Sequence, residues 1–156
     1  MRYDPLNAAV DTVEAEPAEH ARYVLNEQVG FLMRVAMQRH TAIFMSQIVE
    51  SLTQTQFAAL AKLYEVGPCS QNHLGRLIYL DAATIKGVVD RLNARGFVTA
   101  MADPNDRRRL AVALTERGRD VTERAMKVAA DITAATLTPL TYEEQQMVVK
   151  LLKRLT

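Results

Sequence analysis

Phe97-Val98-Thr99-Ala100-Met101, then Asp103-Pro104-Asn105-Asp106-Arg107-Arg108-Arg109, then Leu110-Ala111-Val112-Ala113-Leu114: this stretch decides how the 156-residue chain is read. The outer segments are β-capable and the middle one carries turn residues, so the stretch predicts a β-hairpin with three arginines at its tip. Consecutive arginines on a tight tip repel one another. They add nothing obvious to folding unless Asp103 or Asp106 pairs with them, and surface pairs of this kind contribute little. An arginine on such a tip suits the minor groove of DNA, where the potential is strongly negative.

Working upstream, Asp81 caps a helix from Ala82 to Arg95 that Gly96 closes, and Ser70 opens a shorter helix reaching about Ile78. Thr53 and Gln56 have capping-box spacing, Leu52 and Phe57 have staple spacing, and the helix they open ends at Gly67-Pro68. Three short helices with tight connections predict a helix-turn-helix, and the arginine hairpin makes it winged. On the third helix Ile85, Val88, Val89 and Leu92 form the buried stripe, leaving Ala82, Ala83, Thr84, Lys86 and Gly87 outward. Small residues let a helix enter a major groove roughly 12 Å wide, where Thr or Lys reaches base edges or phosphate.

The flanks are helical. Arg22 to Glu50 contains no proline and reads as one long helix with only Gly30 interrupting it. Leu25, Val29, Leu32, Ala36 and Ile43 make one stripe, which Val24, Phe31, Val35 and Phe44 widen. So apolar a helix needs cover on more than one side, and a second subunit is the simplest cover. Downstream, Thr115 caps a helix to about Thr136, Pro139 breaks it, and Thr141 with Glu144 forms another capping box before Met147, Val148, Leu151 and Leu152.

The net charge of +1 hides an asymmetry. Residues 70–119 hold nine basic and five acidic side chains, whereas residues 1–27 hold two basic and six acidic ones. Residues 1–21 therefore read as an acidic arm in front of a basic middle. An enzyme is disfavoured: three scattered histidines, no phosphate-binding glycine loop and no recognisable nucleophile with its base. No cofactor is expected. Cys69 and His73 are four apart, yet no further Cys or carboxylate cluster completes a tetrahedral set, so no metal is expected. The single cysteine, Cys69, directly precedes the cap residue Ser70 and reads as a buried structural thiol. With no apolar run of about 18 residues and no positive leader, the expected location is the cytoplasm.

The span from Leu52 to Gly118 resembles the MarR family of winged helix-turn-helix transcriptional regulators. Asp103 to Arg109 is similar to the family's DxR wing, Leu114-Thr115-Glu116-Arg117-Gly118 to its LTxxG helix start, and Leu52-Thr53-Gln54-Thr55-Gln56 to its LTxxQ entry. Thr84 to Leu92 is similar to its recognition helix. The resemblance implies a mainly α fold with a small β-hairpin wing. Residues 51–114 would form the DNA-binding lobe, and residues 22–50 and 115–156 a helical dimerisation region. It implies a homodimer on double-stranded DNA with an inverted repeat, acting as a repressor that a small aromatic acid releases. By position, Ala82, Ala83, Thr84, Lys86 and Gly87 would face the major groove, and Arg107, Arg108 and Arg109 would arm the wing with Asp106 orienting an arginine. Ser70, Gln71 and Arg91 would meet phosphate. For the effector, a small aromatic carboxylate, the candidates are Arg34, Gln38, His40 and His73. The whole pattern resembles the branch controlling aromatic or heteroaromatic acid catabolism, such as that of nicotinate. The alternatives are a winged-helix protein-interaction module, or an activator without a ligand.

Overall fold

Side-chain caps set the starts of five of the six helices in the computed structural model, which describes residues 23–104 and 106–156. The arm expected over residues 1–21 lies outside the described residues. Helix α1 spans Val29–Gln47, α2 Gln54–Val66, α3 Gln71–Leu77 and α4 Ala82–Ala94. A hairpin of β1 (Val98–Ala102) and β2 (Leu110–Leu114) follows, then α5 (Glu116–Leu137) and α6 (Tyr142–Leu155). Thr53 and Gln56 form a complete capping box at α2, as Thr141 and Glu144 do at α6. Ser70, Asp81 and Thr115 each accept the backbone N–H three residues on. The mainly helical fold with a two-stranded wing is the one expected. No helix among the described residues is long and apolar enough to cross a membrane.

One expectation fails. The run from Arg22 to Glu50 is not one helix: α1 is flanked by 3₁₀ turns at Leu25–Glu27 and Val49–Ser51. At the second turn Glu50 (φ 56°) and Ser51 (φ 48°) adopt left-handed backbone, which costs an ordinary residue about 1–2 kcal/mol. Tertiary contacts hold the turn. The Glu50 carboxylate lies 3.3 Å from Arg124 on α5 and 3.6 Å from Arg95 at the end of α4, and Arg95 donates to the Glu50 carbonyl at 2.5 Å. Neither glycine nor proline marks this break, so local sequence rules pass over it.

The core runs through the middle of the chain. Leu52, Leu60, Leu74, Ile85, Leu92, Phe97, Val121 and Ile132 are all at most 2% exposed and join α2, α3, α4, the wing and α5 in one cluster. Gly75 permits the close crossing of α3 and α4, because a β-carbon there would meet Ile85 at 3.0 Å and the Leu80 carbonyl at 3.1 Å. The turn between these helices takes left-handed backbone at Tyr79 (φ 58°).

The wing is held at the middle of β2 and at its base. Val98 pairs with Leu114 and Ala102 with Leu110 in antiparallel register. Cys69 extends the pairing by one residue: its N–H donates to the Val112 carbonyl at 3.2 Å, and Val112 N–H donates back at 2.8 Å. At the base Thr115 N–H donates to the Phe97 carbonyl at 3.1 Å, and the Thr115 hydroxyl donates to the Gly96 carbonyl at 2.6 Å. The guanidinium groups of Arg95 and Arg117 lie against the Phe97 ring, 4.6 and 5.0 Å from its centroid.

The outer helices are incompletely covered. Phe44 is the only buried residue of α1, and α6 has none. Val29, Leu32 and Met33 on α1, with Met147, Leu151 and Leu152 on α6, are each about half exposed or more.

Candidate nucleic-acid interface and adjoining cavity

The outward face of α4 begins with three small exposed residues, Ala82, Ala83 and Thr84. Asp81 caps this end with both carboxylate oxygens, accepting from Thr84 N–H at 2.8 Å and from the Thr84 hydroxyl at 2.8 Å. The Thr84 hydroxyl hydrogen is therefore committed to the cap, on a residue that stays exposed. The same two bonds, backbone first, hold the Asp81 carboxyl below its ordinary range. With its folded pKa lowered, Asp81 contributes stability above its unfolded pKa, and that contribution is lost as pH falls through the folded value. In Thr84→Val the side-chain bond goes and the backbone bond stays. An NMR titration should then place the Asp81 midpoint higher than in the parent, though still below the ordinary value. An unmoved midpoint would show that the hydroxyl bond is not formed in solution.

Further along α4, Lys86 is exposed and paired with Asp90 at 2.6 Å, a contact that water screens. Gly87 is half-buried rather than outward: the Arg91 guanidinium folds back over it, 3.3 Å from where a β-carbon would stand. Gln71 is half-buried in the first turn of α3, after its cap Ser70.

On the wing, Arg107 and Arg108 are exposed and have no ion-pair partner among the described residues. Asp106 shapes the turn behind them, accepting from the Arg108 backbone N–H at 3.1 Å and lying 3.3 Å from the Arg109 guanidinium. Backbone bonds from Asp103 N–H to Arg109 O and from Arg109 N–H to Asp106 O close the loop. Arg109 is thus the arginine that Asp106 holds, while Arg107 and Arg108 present their charge outward.

A separate cavity of about 330 Å³ opens between α1, α2 and α5. Met37, Phe44, Phe57, Ala129 and Ile132 supply its apolar walls, and His40, Gln54 and Thr133 its polar ones. His40 is half-buried, with Nδ1 2.9 Å from the Thr136 hydroxyl. The other three residues expected around an effector do not line this cavity. Arg34 stacks on Phe31 with its guanidinium 5.1 Å from the ring, Gln38 is exposed on α1, and His73 sits on α3 beside Arg76. The remaining arginine of this helix, Arg39, donates to the carbonyls of Thr136 and Ala135 at 2.7 and 3.2 Å. Sequence reasoning missed most of the cavity because its walls come from segments about 90 residues apart, each reading locally as ordinary core.

Cys69 is half-buried. Burial, and then the Asp103 carboxylate, push its thiol above the ordinary value, which disfavours the reactive thiolate. Among the described residues no three His, Cys, Asp or Glu side chains converge on a metal-sized site.

Comparison with known proteins agrees with this geometry. The sequence profile of the MarR family matches residues 52–110. The transcriptional repressor NicR of Pseudomonas putida is 39% identical over 145 residues, 92% of each chain. A crystal structure of a probable transcriptional regulator from Pseudomonas aeruginosa is 49% identical and superposes with a TM-score of 0.81, covering 85% of this chain and all of that one. BpsR of Bordetella bronchiseptica, whose DNA binding is regulated by 6-hydroxynicotinic acid, is 40% identical with a TM-score of 0.79, over 85% of this chain and 96% of BpsR.

Proposed function

The chain belongs to the MarR family of transcriptional regulators, and from that premise we propose that it is a dimeric repressor of an inverted-repeat operator, released by a small aromatic acid. The observation that carries the DNA reading is the placement of Arg107 and Arg108, exposed on a braced hairpin, beside a recognition helix whose first turn is small and open. Ala82, Ala83 and Thr84 would approach base edges, and Lys86 would exchange Asp90 for phosphate. Ser70 and Gln71 at the start of α3, with Arg91 folded over Gly87, would fix the lobe on the backbone. The half-exposed apolar residues of α1 and α6 support the dimer: a second copy would take them out of water, at roughly 25 cal/mol for each Å² of apolar surface. The effector reading is supported by the cavity at His40, and by the regulation of BpsR by an aromatic acid.

Fluorescence anisotropy on the DNA upstream of the chain's own gene tests the proposal. Log affinity should fall linearly with log salt concentration, with a slope of about −4 or steeper for a dimer meeting several phosphates. Addition of hydroxybenzoates or pyridine carboxylates should release the complex. A salt-insensitive shift, or none, overturns the DNA reading; release by none of the acids overturns the effector reading.

A further inference from the structure

We propose that the cavity at His40 selects its effector by a hydrogen-bond donor on the aromatic ring, with His40 as the acceptor and Thr136 as the residue that fixes it in that role. The inference rests on the effector reading above and adds the chemistry of the ring. Thr136 has one hydroxyl hydrogen, and it goes to the Ile132 carbonyl one turn back at 2.8 Å. The 2.9 Å contact between the same hydroxyl oxygen and His40 Nδ1 then closes in only one way: Nδ1 carries the proton and donates. A neutral imidazole protonated on Nδ1 has a lone pair on Nε2, and no described residue bonds to that atom.

The neighbouring hydroxyl repeats the pattern. Thr133 gives its hydroxyl hydrogen to the Ala129 carbonyl at 3.0 Å, so it offers the cavity lone pairs. Gln54 gives one amide hydrogen to the Thr41 hydroxyl at 3.3 Å and keeps its side-chain carbonyl and its second amide hydrogen, so of these groups it alone can act either way. Among the described residues no lysine or arginine lines the cavity, and Arg39 is committed to two backbone carbonyls. A carboxylate turned toward His40 would bring lone pairs to lone pairs and lose its hydration without return. A phenolic O–H or a lactam-type ring N–H brings the hydrogen that Nε2 lacks. The ligand class is therefore an aromatic or heteroaromatic acid with a ring donor, bound donor edge toward His40 and with its carboxylate away from that edge.

Calorimetry on the full-length protein tests this with matched acids: para-hydroxybenzoate against benzoate and the similarly sized para-fluorobenzoate, and 6-hydroxynicotinate against nicotinate. The donor-bearing acid of each set should bind about tenfold tighter or more. Thr136→Val frees the imidazole to take its other tautomer and should shrink that preference to about threefold or less, while Thr136→Ser retains it. In parallel, the nitrogen-15 shifts of the His40 ring in the unmodified protein should report the proton on Nδ1, a signature that needs no variant to fold. Finding the proton on Nε2 overturns the proposal, as does a donor preference unchanged in Thr136→Val. Equal affinity for acids with and without the donor also overturns it but leaves the effector reading standing, whereas binding of none of them removes the effector reading itself.

Discussion

Gly118→Ala should lower the stability of the protein by about 3 kcal/mol or more, and its melting temperature by about 10 °C, without touching any residue assigned to DNA. A β-carbon at position 118 would stand 1.8 Å from the Phe97 carbonyl oxygen and 2.7 Å from its carbonyl carbon. Those are backbone atoms, so no rotamer change relieves the overlap. Retreat of the helix is blocked too. The Thr115 hydroxyl accepts from Gly118 N–H at 2.9 Å while donating to the Gly96 carbonyl, and Thr115 N–H holds the Phe97 carbonyl itself. The threonine and glycine of Leu114-Thr115-Glu116-Arg117-Gly118 thus answer one requirement: the first turn of α5 must sit directly on the turn between α4 and β1. Thermal or urea unfolding checks the effect. A loss under about 1 kcal/mol would mean that this crossing is looser in solution than in the structure.

The double variant Arg107→Ala/Arg108→Ala should bind operator about a hundredfold more weakly at moderate salt, with the fold and the oligomeric state unchanged. Both side chains are exposed and lack an ion-pair partner among the described residues, so their removal breaks no ion pair there. Arg109 is the internal control, because Asp106 already holds it at the base of the loop. Removing two cations should also flatten the dependence of log affinity on log salt by about 2 for each lobe engaged. Anisotropy titrations at several salt concentrations measure both quantities, on operator and on unrelated DNA. Undiminished affinity would end the assignment of the wing to DNA.

The helix starts were legible because each is written within four residues: Thr53 with Gln56, Ser70, Asp81, Thr115, and Thr141 with Glu144 all cap where their spacing says. The hairpin was legible for the same reason, its turn residues and β-capable flanks being contiguous. What escaped was nonlocal. The break at Glu50 and Ser51 depends on Arg95 and Arg124, 45 and 74 positions away, and no residue at the break announces it. The Cys69 bridge is a single residue pair, too short for any alternation to reveal. Among candidate site residues, side-chain type placed Arg107, Arg108 and the small face of α4 outward. It could not say that the Thr84 hydroxyl is turned to Asp81 or that Arg91 lies over Gly87. For the cavity, position on α1 selected Arg34, Gln38 and His40 together, yet only His40 lies on the helix face turned toward α2 and α5.

Because Cys69 and Val112 exchange both backbone hydrogen bonds, the wing cannot swing without dragging the start of α3 with it. The distance from the α4 face to the arginine tip is then a fixed length of the lobe, like the gap of a caliper set once. In the proposed complex, an inserted or deleted base pair within one half-site, between the groove that α4 would read and the groove that the wing would reach, would have nothing to absorb it. Between half-sites the constraint would be different, since in the proposed dimer their separation would be set by how two copies meet through α1 and α6. Operators for this protein should accordingly drift in the spacing between their halves more readily than in the spacing inside each half.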